Sequence, residues 1–267
     1  MSKSHSNPEI CVVADTAAVW DEGARRFAAA ARDAIAARGR FMVALSGGST
    51  PEGLYRELAT RHSPTAPDKQ SAALSIPWSH THIFFGDERY VPHDDPQSNF
   101  RLAREALLDH VPIPAKQIYP MPTNAADPAV AAAEYEKTLR QAFPTPLPSN
   151  ENQPPIPRFD LILLGMGPDG HTASLFPGTK AVHEQHRLVV APWVEKFQTY
   201  RLTLTPPVLC HGRQLLFLLS GAAKADTLRD VLEGPFDPSR LPSQIVRPVD
   251  GRLTWLIDRE AAARLGD

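Results

Sequence analysis

The chain has 267 residues, 42% of them hydrophobic and 22% charged, which is enough apolar content for an ordered core and excludes a wholly disordered or collagen-like chain. Its 28 basic and 30 acidic residues nearly cancel, at a net charge of -2, so nucleic acid is not an expected partner. The N-terminal segment lacks an apolar export signal, no apolar run nears the roughly 20 residues of a membrane helix, and Cys11 and Cys210 stand far apart without metal-ligand spacing; a cytoplasmic protein with no membrane or metal requirement is expected.

In chain order, Ala24 to Ala37 reads as an alanine-rich helix and Phe41 to Leu45 as the first buried strand. Thr50-Pro51 supplies a helix cap and a proline at the first helical position for Glu52 to Ala59. After a proline-rich insert at 61–79 come a strand over His82 to Phe85 and a helix over Asn99 to Asp109. Asp127-Pro128 repeats the helix-start signal before Ala129 to Phe143. A second proline-rich insert, 143–158, reads as an extended surface loop, because proline lacks the donor that a helix or central strand needs. Strands over Phe159 to Leu164, Leu188 to Ala191, Leu215 to Leu219 and Leu253 to Ile257 follow, with helices over Ala222 to Glu233 and Arg259 to Leu265. Strands alternating with helices predict a single α/β domain over 1–267, three-layered and Rossmann-like, around a mostly parallel sheet covered on both faces.

In such a sheet ligands bind beyond the carboxyl ends of the strands, so the residues after each apolar run carry the chemistry. The first loop is Ser46-Gly47-Gly48-Ser49-Thr50: glycines admit a close anion, hydroxyls donate, and the helix at Pro51 aims free N–H groups at the same point. It reads as a phosphate cradle or as a turn that merely caps the helix. No Gly-Lys-[Ser/Thr] follows, so it is not a nucleotide triphosphate loop. The second, Gly86-Asp87-Glu88-Arg89, offers Arg89 as a bidentate phosphate ligand and Asp87 as a group facing the polar end of a substrate, or else a solvated turn with an Arg–carboxylate pair. The third, Gly165-Met166-Gly167-Pro168-Asp169-Gly170-His171, formally matches a dinucleotide fingerprint, but its proline, Pro177 soon after, and the missing ribose-binding acid argue against that. It presents His171 as a general base, with Asp169 near enough to orient it. Lys224 enters the first turn of a helix, where a bound anion would compensate a cation beside the positive dipole end, and Arg201 could reach the same mouth or be an ordinary edge-strand arginine.

Taken together, SGGSTP, FFGDERYVP with the following SNFRLAREALLDHV, and DLILLGMGPDGHTASLFPGT resemble the 6-phosphogluconolactonases, relatives of the glucosamine-6-phosphate deaminases. The resemblance runs in order from about Phe41 to Glu233. It implies hydrolysis of 6-phospho-D-glucono-1,5-lactone, a small sugar phosphate, in the oxidative pentose phosphate pathway, without metal or organic cofactor; a monomer or weak homo-oligomer is expected. It also implies His171 as the base, Arg89 and Lys224 as phosphate ligands, and Asp87 at a position that handles a sugar proton in the deaminases. Those deaminases use a glutamate shortly after the histidine, where this chain has Phe176-Pro177-Gly178. Deamination or isomerisation of an amino sugar phosphate, and non-catalytic sugar-phosphate binding, remain the rivals, with a nicotinamide oxidoreductase behind them. With no G-x-S-x-G elbow, Thr172 and Ser174 are not expected to act as nucleophiles, and water attacks directly. Either Asp169 or Asp87 would orient His171.

Overall fold

An unbroken apolar run such as FMVAL suits a strand covered on both sides, and Phe41–Leu45 is buried throughout. In the computed structural model, which describes residues 7–62, 75–143 and 156–266, the chain runs β1 (Glu9–Val13), α1 (Thr16–Arg38), β2 (Phe41–Leu45), α2 (Ser49–His62), β3 (Thr81–Phe85), β4 (Asp87–Arg89), α3 (Asn99–Ala106), α4 (Pro128–Ala142), β5 (Leu161–Leu164), β6 (Val189–Val190), β7 (Trp193–Val194), β8 (Thr199–Leu204), α5 (Pro206–Cys210), β9 (Gln214–Leu219), α6 (Ala225–Glu233), β10 (Arg252–Asp258) and α7 (Arg259–Ala262). Six strands form one sheet in the order β1-β10-β9-β5-β2-β3, every pairing parallel. The parallel α/β architecture is therefore the one implied by strands alternating with helices. A small antiparallel sheet, β4-β8-β6 with β7 on β8, stands beside it.

The strand pleat sends neighbouring residues to opposite faces, and each face finds its own aromatic cover. Phe41 meets Phe27 of α1 edge-on at 5.3 Å between ring centroids, and α1 also packs against β1, β9 and β10 and against α2, which itself touches β9. On the opposite face Phe84 stacks on Tyr119 at 4.4 Å and packs against Phe143 and Phe159. Helix starts follow local chemistry. Asp15 caps α1 by accepting from the Ala18 N–H, and Asp127 caps α4 just before Pro128, as its sequence predicts.

Several expectations are corrected. Leu188 to Ala191 is not a strand of the parallel sheet; only Val189–Val190 pair, antiparallel to β8. A four-residue apolar run closed by Pro192 says that it is buried, but not which sheet it joins. Thr50 is not the cap of α2, which begins at Ser49 with the Glu52 N–H on the Gly48 carbonyl at 3.0 Å. Pro51 still falls in the first turn, where its missing N–H leaves no bond unmade. The helix from Asn99 ends at Ala106 and yields to a 3₁₀ turn, Leu108–His110; likewise Ala222–Lys224 is a separate 3₁₀ turn before α6. The edge strand β1, with Ile10 and Val12 exposed, and the short β4 are additions. Much of both proline-rich inserts, including the expected extended loop, lies outside the described residues. Among the described residues no helix is long and apolar enough to cross a membrane.

Candidate active site

The loops after β2, β3, β5 and β9 meet at one rim of the parallel sheet around a cavity of about 270 Å³. Its wall holds Ser46, Gly47, Gly48, Ser49 and Thr50 from the first loop, Asp87 and Arg89 from the second, His171 from the third, and Lys224 from the fourth. Two of the residues expected at the site, Asp169 and Arg201, stand just outside that wall. Asn99, Ser220 and Ala173 complete parts of it and were not singled out by their sequence.

The Ser46-Gly47-Gly48 turn is held from below: the Tyr55 hydroxyl accepts from the Ser46 N–H at 3.0 Å and donates to its carbonyl at 2.7 Å. The Thr50 and Ser220 hydroxyls lie 2.9 Å apart and tie the first loop to the fourth. Lys224, at the N-terminal end of α6, is pushed below the ordinary lysine range by burial, partly opposed by the Asp169 charge. The free N–H groups of the α2 start and this ammonium thus share one corner. Ser46 Oγ is buried there without a partner.

Arg89 and Arg201 are direct cross-strand partners on β4 and β8. Arg201 is 7% exposed, its guanidinium lies 5.2 Å from the centre of the Phe197 ring, and its Nε meets no acceptor. Burial and the neighbouring Arg89 charge push its pKa down. Two like charges directly opposite are unfavourable on their own and favourable around an anion. The Arg–carboxylate turn is not what forms: the Arg89 guanidinium donates to the Gln97 carbonyl. Glu88 instead turns inward, fully buried, and accepts the N–H groups of Arg89, Asn99 and Phe100 at 2.7–2.8 Å.

Asp169 Oδ1 accepts from His171 Nδ1, so Asp169 rather than Asp87 is the carboxylate paired with the imidazole. Burial opposes ionisation of Asp169, but the hydrogen bonds and charge of His171 and the charge of Lys196, whose Nζ is 3.4 Å from Oδ2, outweigh it and hold Asp169 below the usual carboxylate range. A carboxylate on Nδ1 leaves Nε2 as the ring's free acceptor. Phe176 stacks on the imidazole at 4.1 Å. Gly167 is required here, because a Cβ would fall 2.0 Å from His171 Cε1. The residues that follow β5 form turns and no α-helix before β6, so the third loop does not itself open a helix as a dinucleotide fingerprint does.

Asp87 is occupied differently: its Oδ2 accepts from the Ser174 hydroxyl at 2.6 Å and its Oδ1 from Asn99 Nδ2 at 3.3 Å. Ser174 is therefore a brace for Asp87. Phe176 and Lys196, which frame the imidazole and its carboxylate, were missed because nothing in a lone aromatic or lysine marks which side chain it will touch. Beyond Asp169 opens a wider groove of about 990 Å³ toward Trp193 and Lys180. Among the described residues no cluster of three or more histidine, cysteine or acidic side chains is poised for a metal.

Residues 14–255 match the family model described as glucosamine-6-phosphate isomerases/6-phosphogluconolactonase. The chain is 43% identical over 232 residues to a 6-phosphogluconolactonase of Synechocystis, covering 87% of this chain and 88% of that one. It is 39% identical over 259 residues to a 6-phosphogluconolactonase of Mycobacterium leprae, covering 95% and 97%. The solved 6-phosphogluconolactonase from Trypanosoma cruzi superposes with a TM-score of 0.82 at 30% identity, over 99% of this chain and 100% of that one.

Proposed function

The chain belongs to the glucosamine-6-phosphate isomerase/6-phosphogluconolactonase family, and from that premise we propose how its cavity hydrolyses 6-phospho-D-glucono-1,5-lactone to 6-phospho-D-gluconate, the hydrolytic step of the oxidative pentose phosphate pathway. A single observation carries the mechanism. An imidazole clamped at Nδ1 by an ionised carboxylate opens onto the same small cavity as Lys224, Arg89 and the start of α2.

A δ-lactone is already a reactive ester, so it needs orientation, a base for water and a stabilised oxyanion, but no covalent nucleophile. His171 Nε2 takes a proton from water as the oxygen attacks the lactone carbonyl carbon. Asp169 stabilises the imidazolium that forms, and the proton then passes to the ring oxygen as its bond to carbon breaks. At the other end the phosphate sits on the Gly47–Thr50 loop with Ser46, Lys224 and Arg89, while Arg201 adds its charge from the strand beside Arg89. Binding energy from that remote dianion holds the carbonyl against the base. Asp87, braced by Ser174 and Asn99, faces the sugar between these ends.

The deaminase alternative is not favoured: the stretch where that branch carries its glutamate is Phe176-Pro177-Gly178, which holds no acid, and Phe176 stacks on His171. The reading takes the chain as one domain that works in the cytoplasm, as a monomer or weak homo-oligomer without nucleic acid. The free cysteines Cys11 and Cys210 suit such a reducing compartment. The test is a side-by-side assay of acid release from 6-phosphogluconolactone and ammonia release from glucosamine 6-phosphate. Lactone turnover without ammonia is expected; ammonia without accelerated lactone opening would overturn the reading.

A further inference from the structure

We propose that Asn99 is a specificity-determining residue, whose side-chain carbonyl accepts a hydrogen bond from one ring hydroxyl of the substrate; this rests on the lactonase reading above. Asn99 is 2% exposed and lines the same cavity as His171 and Lys224. Its Nδ2 donates to two oxygens of Asp87, the main-chain carbonyl at 2.9 Å and carboxylate Oδ1 at 3.3 Å. Both are acceptors, which sets the direction of the amide: nitrogen toward Asp87, oxygen the other way.

That oxygen is buried and meets no donor. It stands over Gly47, so close that a Cβ there would fall 1.9 Å from it, and Gly47 is itself part of the cavity wall. The amide is held in this direction by its two bonds to Asp87, and its backbone is pinned as well. Buried Glu88 accepts the N–H groups of Asn99 at 2.7 Å and Phe100 at 2.8 Å, and the Ser98 hydroxyl at 3.1 Å. A buried carbonyl without a donor is costly in the empty protein, and a ligand that brings the donor removes that cost.

The chemistry of the donor follows from what surrounds it. A carbonyl oxygen beside the Asp87 carboxylate repels phosphate oxygens, which belong with Lys224 and Arg89, and complements a hydroxyl. The sugar ring between phosphate and lactone carbonyl carries such hydroxyls. A site built to pair with a hydroxyl rejects the analogue lacking it, because the protein group is then left unpaired.

The experiment measures kcat/KM of the wild-type protein for 6-phosphogluconolactone and for analogues lacking the hydroxyl at C2, C3 or C4, then repeats the series with Asn99→Ala. One analogue is expected to be poorer than the parent by about fivefold or more in the wild type, with that ratio collapsing toward one in the variant. If the wild type treats all three analogues like the parent, the inference is overturned without any variant. It is equally overturned if Asn99→Ala slows every substrate alike and keeps the wild-type ratio, the pattern of a residue that only braces Asp87. Should Asn99→Ala fail to fold, Asn99→Ser withdraws the carbonyl while keeping a short polar side chain, and the same ratio is read. Wild-type turnover of the parent lactone, recorded in the same series, separates failure of this inference from failure of the lactonase reading.

Discussion

Adding one methyl group at Gly167 displaces the imidazole without replacing it. A Cβ at this position would lie 2.0 Å from His171 Cε1, 2.1 Å from Nδ1 and 2.7 Å from Asp169 Oδ1, whereas ordinary contact begins at 3.4 Å. The ring must therefore move outward by more than about 1 Å, and a misplacement of that size costs on the order of 10²-fold in rate. Phe176, stacked on the ring at 4.1 Å, limits where it can go, and the bond to Asp169 is lost in the process. Overpacking of this kind costs about 1–3 kcal/mol, several degrees in Tm for a chain of this size, so the variant stays folded at room temperature. Gly167→Ala is expected to lower kcat by about 10²-fold or more and to leave KM within a few-fold, since the phosphate corner is untouched. The assay follows acid release from freshly prepared lactone at fixed pH, with spontaneous ring opening subtracted. A folded Gly167→Ala protein with kcat within threefold of wild type would refute the reasoning.

Asp169→Asn should lower kcat by about 10- to 100-fold, the loss of a charge-assisted hydrogen bond to the imidazolium, with KM nearly unchanged. The same variant reports on acid stability. The folded protein holds Asp169 below the usual carboxylate range, so as pH falls the unfolded chain takes up that proton first. The stabilisation from Asp169 is present above about pH 4 and is lost as pH falls below it. The Tm advantage of wild type over Asp169→Asn, followed by calorimetry at acid pH, should shrink in that window; an advantage that grows as pH falls below about 4 would contradict the sign. Lys224→Ala and Arg89→Ala should raise KM by about 10- to 100-fold, as loss of a charged hydrogen bond does, with a smaller effect on kcat. Both should leave turnover of the unphosphorylated gluconolactone almost unaltered, and equal losses on both lactones would remove them from the phosphate corner.

Much of the frame was legible because burial leaves a one-dimensional trace. β2, β5 and β9 are covered on both faces and read as apolar runs, while β3 and β10 still read as mostly apolar despite His82 and Thr254. β1 was silent because it is an edge strand with Ile10 and Val12 turned outward. The strand at Leu188 was seen but misplaced, since hydrophobicity records depth and not partners. At the site, Asp169 and His171 are two residues apart on one glycine-bearing turn, which made Asp169 one of two candidate partners for the imidazole. The choice between Asp169 and Asp87 could not be read, because it depends on how the loops after β3 and β5 fold across from each other. Asn99 is the clearest case of what stayed hidden. In sequence it is the first residue of a helix, and only the meeting of α3 with Asp87 and Gly47 leaves its carbonyl buried, fixed and without a donor. Arg201 shows the reverse: an arginine read either as reaching the mouth or as an ordinary edge-strand residue sits across from Arg89 on the neighbouring strand, and of the two Arg89 lines the cavity wall.

The central claim is that a histidine oriented by Asp169 activates the water that opens the lactone. Its most direct test is the kcat of His171→Ala on 6-phosphogluconolactone, corrected for uncatalysed opening. The account predicts a fall of about 10²- to 10⁴-fold, the range that general base catalysis supplies, with KM largely retained. A variant that binds the substrate and turns it over at the wild-type rate would contradict it.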